Sequence, residues 1–203
     1  MTDAELVTLS QRGDLRAFNQ LAGRSNAALY GFVRRMLGNA DDAQDVCQEA
    51  LIKAYVNIGR LREPEKFGAW LHHIALNLCR DWHRSAKARP AVQSLETVTA
   101  GGADAVPAAR SLATAEPARE RTDLLDDAQR LLERISLEQR TAILLREYQG
   151  FTSQEIAEIT GVPAATVRTR VFYGLKAIHA MLHEQEGACA RREGARAEGG
   201  ERQ

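Results

Sequence analysis

The feature that most constrains this chain is a stretch of about thirty residues from Pro90 to Arg119, "PAVQSLETVTAGGADAVPAARSLATAEPAR". It is rich in Ala, Gly, Pro, Ser and Thr and holds few large apolar side chains, so it cannot bury enough surface to offset its ordering entropy. On both sides of it, apolar residues recur at the three-to-four spacing of amphipathic helices. The expectation is an all-α chain of two small helical domains joined by a flexible linker, the second a four-helix domain with a helix-turn-helix. The boundaries read 1–89, 90–121 and 122–183, with a polar, Gly-rich and disordered tail over 184–203. Within the linker, one short docked helix around Arg110 to Thr114 is the alternative reading.

Composition narrows the class. The chain has 203 residues, enough for two small domains, with 44% hydrophobic but only 5% aromatic residues, which suits Leu- and Ala-rich helical bundles better than an all-β fold. Lys plus Arg equal Asp plus Glu at 27 each, so partners must be read from where the charge lies. The cysteines are Cys47, Cys79 and Cys189, an odd number without a CxxC pair, which fits a reducing compartment rather than a disulfide framework. The N-terminus is polar and periodic, unlike a signal peptide, and no apolar run approaches the roughly 18 residues of a membrane span. A cytoplasmic location is expected.

In the first half, Leu6 and Leu9 open one helix, and Asp14 precedes another carrying Leu15, Phe18 and Leu21, with Leu29, Phe32, Val33 and Leu37 on its continuation or neighbour. Gly38-Asn39 is a stop signal, and Asp41 or Asp42 is the expected cap of a helix with Val46, Leu51, Ile52, Tyr55 and Ile58. "GRLREPEKFG" interrupts the pattern, and a last helix follows with Trp70, Leu71, Ile74, Leu78 and Trp82. In the second half, Leu124, Leu125, Ala128, Leu131, Leu132 and Ile135 form one stripe, and Ala142, Ile143, Leu145 and Tyr148 another.

The segment from Thr152 onward reads as two helices around a tight turn. Thr152 and Glu155 make a capping-box pattern, Ile156 and Ile159 supply a buried face, Gly161 tolerates the turn, and Pro163 suits the start of the next helix. Val167, Val171, Leu175, Ile178 and Leu182 are the expected inner stripe of that helix, leaving Ala165, Arg168, Thr169, Phe172, Tyr173 and Lys176 on the other side. From Pro163 to His183 there are three Lys or Arg and no acid. A second helix of this kind fits the major groove: Arg168 can pair with a guanine edge, and Arg170 and Lys176 can neutralise phosphates. A plain helical hairpin with a solvated basic face is the competing reading.

Two features of the first half have no use in duplex reading. "DDAQDVCQEA" sets Asp42, Asp45 and Glu49 at spacings of three and four, one acidic helix face that can dock a basic partner or be merely solvated. "GRLREPEKFGAWLHHIALNLCRDWHRSAKARP" interleaves Arg60, Arg62, Lys66, Arg80, Arg84, Lys87 and Arg89 with Phe67, Trp70 and Trp82. Cations that follow a backbone and aromatics that stack on bases suit single-stranded DNA. Against this, a large aromatic at helical spacing usually packs inward, so each Trp alone reads first as core.

The order of these motifs resembles an extracytoplasmic-function (ECF) RNA polymerase sigma factor over residues 3–89 and 122–183. "GDLRAFNQLAGR" is similar to the first segment of sigma domain 2, "DAQDVCQEALIKAY" to its core-polymerase-binding helix, and "FGAWLHHIALNLCRDWHR" to the segment that opens and reads the −10 element. "ISLEQRTAILLREYQGFTSQEIAEITGVPAATVRTRVFYGLKAI" is similar to domain 4, which reads the −35 duplex. The resemblance implies that Asp42, Asp45, Gln48 and Glu49 face the beta-prime subunit of polymerase, with the beta subunit also in contact. It implies that the loop from Arg60 through Arg62 to Lys66 holds a base flipped from the −10 non-template strand, with Asn77 nearby and Arg80 and Arg84 on phosphates. Ala165, Thr166, Arg168, Thr169, Arg170, Phe172, Tyr173 and Lys176 would then face the −35 duplex, and the linker would run through the RNA-exit path. The family is usually held inactive by an anti-sigma factor. Members often carry Leu-Pro where Ile135-Ser136 stand and Arg where Tyr173 and Leu175 stand, so this recognition helix has fewer cations.

No nucleotide hydrolysis, small-molecule substrate or cofactor is expected, and no P-loop is present. His72, His73, Cys79 and His83 do not complete a zinc-site pattern, so neither a metal site nor an enzyme is expected. The main alternative is a stand-alone helix-turn-helix transcriptional regulator, which would bind duplex DNA tightly without polymerase.

Overall fold

In the computed structural model, residues 1–88 and 127–199 are described, with side chains over 1–86 and 127–184, and every regular element among them is helical. The expected linker, including its short-helix alternative, lies outside these residues, as do Leu124, Leu125 and residues 200–203.

Helix α1 (Asp3–Gln11) opens on a capping box in which Glu5 N–H donates to the Thr2 hydroxyl at 3.3 Å and Thr2 N–H donates to the Glu5 carboxylate at 2.7 Å. Asp14 caps α2 (Leu15–Leu37), one continuous helix that ends where Gly38 takes a left-handed φ of 79°. Helix α3 (Ala40–Asn57) is capped by Asn39, not by Asp41 or Asp42: the Asn39 side chain accepts from the amides of both. Once Gly38 has ended α2, Asn39 is the extended residue available to cap, and the two acids fall in the first turn, where the helix dipole favours them. The Gly- and Pro-containing interruption forms two short 3₁₀ turns, Ile58–Arg60 and Pro64–Lys66, before α4 (Phe67–Ala88). Leu6, Leu21, Leu29, Phe32, Met36, Leu71 and Leu76 are fully buried where these four helices meet.

The second group begins with α5 (127–134), where Leu131 and Leu132 are buried but Ala128 is exposed. Helix α6 (Leu137–Ile143) starts on a Ser136–Gln139 capping box and runs into a π turn, Leu144–Tyr148. Helices α7 (Ser153–Thr160) and α8 (Ala164–Gly199) follow the predicted turn. Thr152 and Glu155 form the capping box, and Gly161 holds a φ of 74° with its N–H on the Ala157 carbonyl.

Two sequence expectations fail in α8. The inner stripe is Val167, Val171, Gly174, Ile178 and Met181, while Leu175 and Leu182 are exposed. Gly174 is buried against α6, where an added Cβ would meet Ile143 Cδ1 at 2.7 Å and Gln139 Cβ at 3.2 Å, so a side chain there would have to displace the end of Ile143 and shift Gln139. The tail expected to be disordered from 184 continues as helix to Gly199. Its Glu, Gln, Ala and Arg residues are good helix formers that outweigh the intervening glycines.

The two helical groups pack on each other. Arg140, buried, donates from Nε to the Leu132 carbonyl at 2.7 Å and from Nη1 to the Met36 carbonyl at 3.0 Å, joining α5, α6 and the C-terminal end of α2. His83 also reaches that Met36 carbonyl at 3.2 Å. Gln149 and Gln129 donate to the Ala28 and Arg35 carbonyls, and the Arg35 guanidinium lies 3.9 Å from the centre of the Tyr148 ring. The His72 ring stands between Phe32 and Phe151, edge-on to both.

Candidate functional site

The loop joining α3 to α4 is held from below. Gln11 donates from Nε2 to the carbonyls of Ile58 at 3.0 Å and Leu61 at 2.7 Å, and Leu61 is buried, so the loop is tied to α1 while Arg60 and Arg62 project outward. Lys66, at the end of the second 3₁₀ turn, sits 3.0 Å from the Glu63 carboxylate and 3.3 Å from that of Glu158 on α7. These two carboxylates, Glu63 first, raise its pKa further above the ordinary lysine value.

Above the loop is a cavity of about 270 Å³ lined by Arg60, Arg62, Lys66, Trp70, His73 and Glu158. Beside it, a second of about 330 Å³ is lined by Lys53, Asn57, Trp70, Ile74, Asn77 and Asp81. Trp70 borders both and is half-buried, as is Trp82, so each is partly core and partly available. Asn77 Nδ2 lies 3.1 Å from His73 Nε2, and His73 Nδ1 lies 2.7 Å from the Ile159 carbonyl. His73 Nδ1 donates to the Ile159 carbonyl, which can only accept. Arg84 pairs with Asp81 on its own helix. Arg80 is half-buried and lies within electrostatic reach of Glu138 on α6, as does Arg170 of α8. Glu138 is held below the usual carboxylate range first by its own backbone amide, then by Ser136 and those two guanidinium groups. The structure thus gathers Arg60, Arg62 and Lys66 around one cavity, sets Asn77 on its neighbour, pairs Arg84 with Asp81, and leaves Arg80 half-buried within electrostatic reach of Glu138.

On α3, Asp45, Gln48 and Glu49 are exposed, Asp42 is half-buried, and Glu49 pairs with Lys53 at 2.8 Å. The same face continues into Ile52 and Val56, 57% and 73% exposed. Spacings of three and four from Asp45 through Glu49 and Ile52 to Val56 carry the stripe, a signal legible in the sequence once the direction of the face is known. On α8, Ala165, Arg168, Thr169, Phe172, Tyr173 and Lys176 are all exposed, while Thr166 and Arg170 are half-buried. His73, Asp81 and Glu158, which line the cavities, were not singled out as site residues.

The nucleophilic and metal-binding residue types lead elsewhere. Burial pushes the Cys47 thiol up to about 11 and the Cys79 thiol to about 12, so both stay protonated and inert. Among the described residues, no group of three or more His, Cys, Asp or Glu could hold a metal ion, and no helix is long and apolar enough to cross a membrane.

Comparison with known proteins adds to this geometry. Residues 21–89 match Sigma-70 region 2, and residues 125–178 match Sigma-70 region 4. The chain is 32% identical over 180 residues to the RNA polymerase sigma-H factor of Pseudomonas aeruginosa, covering 89% of this chain and 93% of that one. It is 33% identical over 178 residues to the ECF RNA polymerase sigma-E factor of Escherichia coli K12, covering 88% and 93%. Among solved structures, CnrH in complex with the cytosolic domain of CnrY matches with a TM-score of 0.66 at 23% identity, covering 90% of this chain and 97% of that one. The sigma factor RpoE in complex with the anti-sigma factor NepR from Bartonella quintana matches with a TM-score of 0.62 at 24% identity, covering 83% and 98%.

Proposed function

This chain belongs to the ECF RNA polymerase sigma factors, which bind core polymerase and direct it to specific promoters, and from that premise we propose which surface does which task. The stripe of Asp42, Asp45, Gln48 and Glu49, extended by Ile52 and Val56, docks on the beta-prime subunit, with further contacts to beta. Its mix of acids and exposed apolar side chains supports this, because a merely solvated helix face has no need of the latter. The cavities at Trp70 take bases of the −10 non-template strand, with Arg60, Arg62 and Lys66 on the backbone and Asn77 on a base edge. Unstacking a base step costs a few kcal/mol, which stacking and pocket contacts offset. Arg168, Thr169, Phe172, Tyr173 and Lys176 face the −35 duplex, with Ala165 and Thr166 allowing close approach and Arg170 near the phosphates. An anti-sigma factor controls the protein, and its place of action is the cytoplasm. The promoter-binding units are residues 1–89 and 122–183, with 90–121 as the connecting segment.

The observation that carries the promoter reading is the outward face of α8: exposed, basic and free of acids from Pro163 to His183. Run-off transcription with purified core polymerase on a promoter library, with and without this protein, tests it. Start sites that depend on the protein are expected, and an unchanged set of start sites would refute the assignment. Arg168→Ala should lower use of promoters in a manner that depends on the −35 sequence, by about 1–3 kcal/mol at the preferred base pair. Equal loss on all promoters would instead make Arg168 a phosphate contact.

A further inference from the structure

Helix α8 carries two histidines one turn apart, His179 and His183, which the promoter reading does not use. Both are exposed, and they continue the outward stripe of Phe172 and Lys176 at spacings of four, three and four. Side chains at i and i+4 are neighbours on a helix surface. Here the ring centres are 4.3 Å apart and the ring planes cross at 81°, while the two Nε2 atoms are 3.2 Å apart, so the Nε2 corners lean towards each other.

That separation is the bite of a chelating pair. Imidazole nitrogens sit about 2.0–2.1 Å from a zinc-like ion, so two of them on one ion, at angles of about 90–109°, lie about 2.8–3.4 Å apart. Two histidines at i and i+4 on one helix face are also the pattern of established zinc sites. As a hydrogen-bonded pair, one Nε2 carries the proton that the other accepts. An ion between them takes both lone pairs, and the displaced proton moves to Nδ1 of its own ring. Neutral imidazole selects borderline transition metals over Mg²⁺ and Ca²⁺, which require oxygen ligands. Among the described residues no group of three or more His, Cys, Asp or Glu could hold a metal ion, so the pair fills two coordination positions. The others face outward, for water or a donor from another molecule.

We propose that His179 and His183 form a two-ligand site for a divalent transition-metal ion of the Zn²⁺, Ni²⁺ and Cu²⁺ class on the outer side of α8. The site does not depend on what α8 reads. The two rings meet only while residues 179–183 are helical, so a bound ion favours the helical form of this turn, from which α8 continues to Gly199.

Isothermal titration of the full chain with NiCl₂, and separately with MgCl₂, tests this against three variants. His179→Ala and His183→Ala each leave one ligand. His183→Ala with Glu184→His keeps the number of histidines but moves the second ring off the shared face. All forms keep Cys47, Cys79, Cys189, His72, His73 and His83, so any binding there is common to every titration. The changed side chains are exposed, and far-UV circular dichroism checks that each variant is folded. The parent should bind about one Ni²⁺ per chain about tenfold or more tighter than any variant, because the second imidazole closes the chelate within the molecule. Mg²⁺ should give no such difference. Equal Ni²⁺ affinity in the parent and His179→Ala, or full affinity with the second histidine relocated, would reduce the pair to a hydrogen bond and overturn the proposal. Uptake of Mg²⁺ that the same variants lose would overturn the assignment to transition metals.

Discussion

The outward stripe of α3 and the loop between α3 and α4 belong to the same four-helix group, yet they are presented in opposite ways. The stripe is bare: Asp45 and Glu49 face solvent, and Ile52 and Val56 are left uncovered at a cost in exposed apolar surface. The loop is engaged by α7 at one end, with Lys66 paired to Glu158 and neighbouring His73 bonded to the Ile159 carbonyl, while Arg60 and Arg62 project outward. The contrast teaches that exposure differs within one helical group: the stripe has no covering element, while the end of the loop is already engaged by α7.

The largest expected effect breaks the first half of this comparison. Asp45→Arg with Glu49→Arg should weaken binding to core polymerase about tenfold or more, because both reversed charges sit within the proposed interface. Thermal melting should be unchanged, since both residues are exposed; unaltered affinity would show that the bare stripe is only solvated. Next, Arg140→Met removes the donor that joins Leu132 to Met36 across the seam, leaving the Leu132 carbonyl without this bond while His83 still reaches that of Met36. A loss of about 1–3 kcal/mol in urea unfolding is expected, and no loss would mean that the seam adds nothing to stability.

A pH titration sharpens the comparison further. Burial lowers the pKa of His72 against a weaker opposing effect from its bond to the Gly68 carbonyl, so the ring is neutral in the folded chain. Its folded pKa lies below the ordinary 6.5, so between those values the unfolded chain binds more protons and stability falls as pH falls. At pH 5.5 the loss from this residue is at most about 1.4 kcal/mol, the limit set by protonating the unfolded imidazole. His72→Phe should flatten the slope between pH 7 and 5.5, and an unchanged slope would locate the acid sensitivity elsewhere. The smallest effect is local: Thr152→Ala should cost about 1 kcal/mol by opening the capping box of α7, read as a lower melting temperature.

How much was legible follows from the range of each signal. The helix-turn-helix was readable because its determinants, Thr152 with Glu155, Gly161 and Pro163, act within a few residues of one another. The outward face of α8 was equally readable, since Arg168, Phe172 and Tyr173 share one side of a helix. The inner stripe was misread at Leu175 because a pattern of large apolar residues gives no weight to Gly174, which is buried for what it lacks. Asn39 was passed over as a cap in favour of the acids after it, which a dipole argument attracts to the same turn. The packing of the two groups left no trace in the apolar pattern. Its main bonds run from Arg140, His73, Gln149 and Gln129 to backbone carbonyls, and a carbonyl has no sequence signature.

Gly174 lies behind the face of α8 proposed to read DNA, and on that proposal it bears on promoter choice. A methyl group there would shoulder Ile143 aside or push α8 outward, tilting Arg168 and Phe172 relative to the rest of the molecule. If the outward face of α8 reads DNA as proposed, its aim is adjustable from the rear, and evolution can retune that contact without altering a residue that makes it.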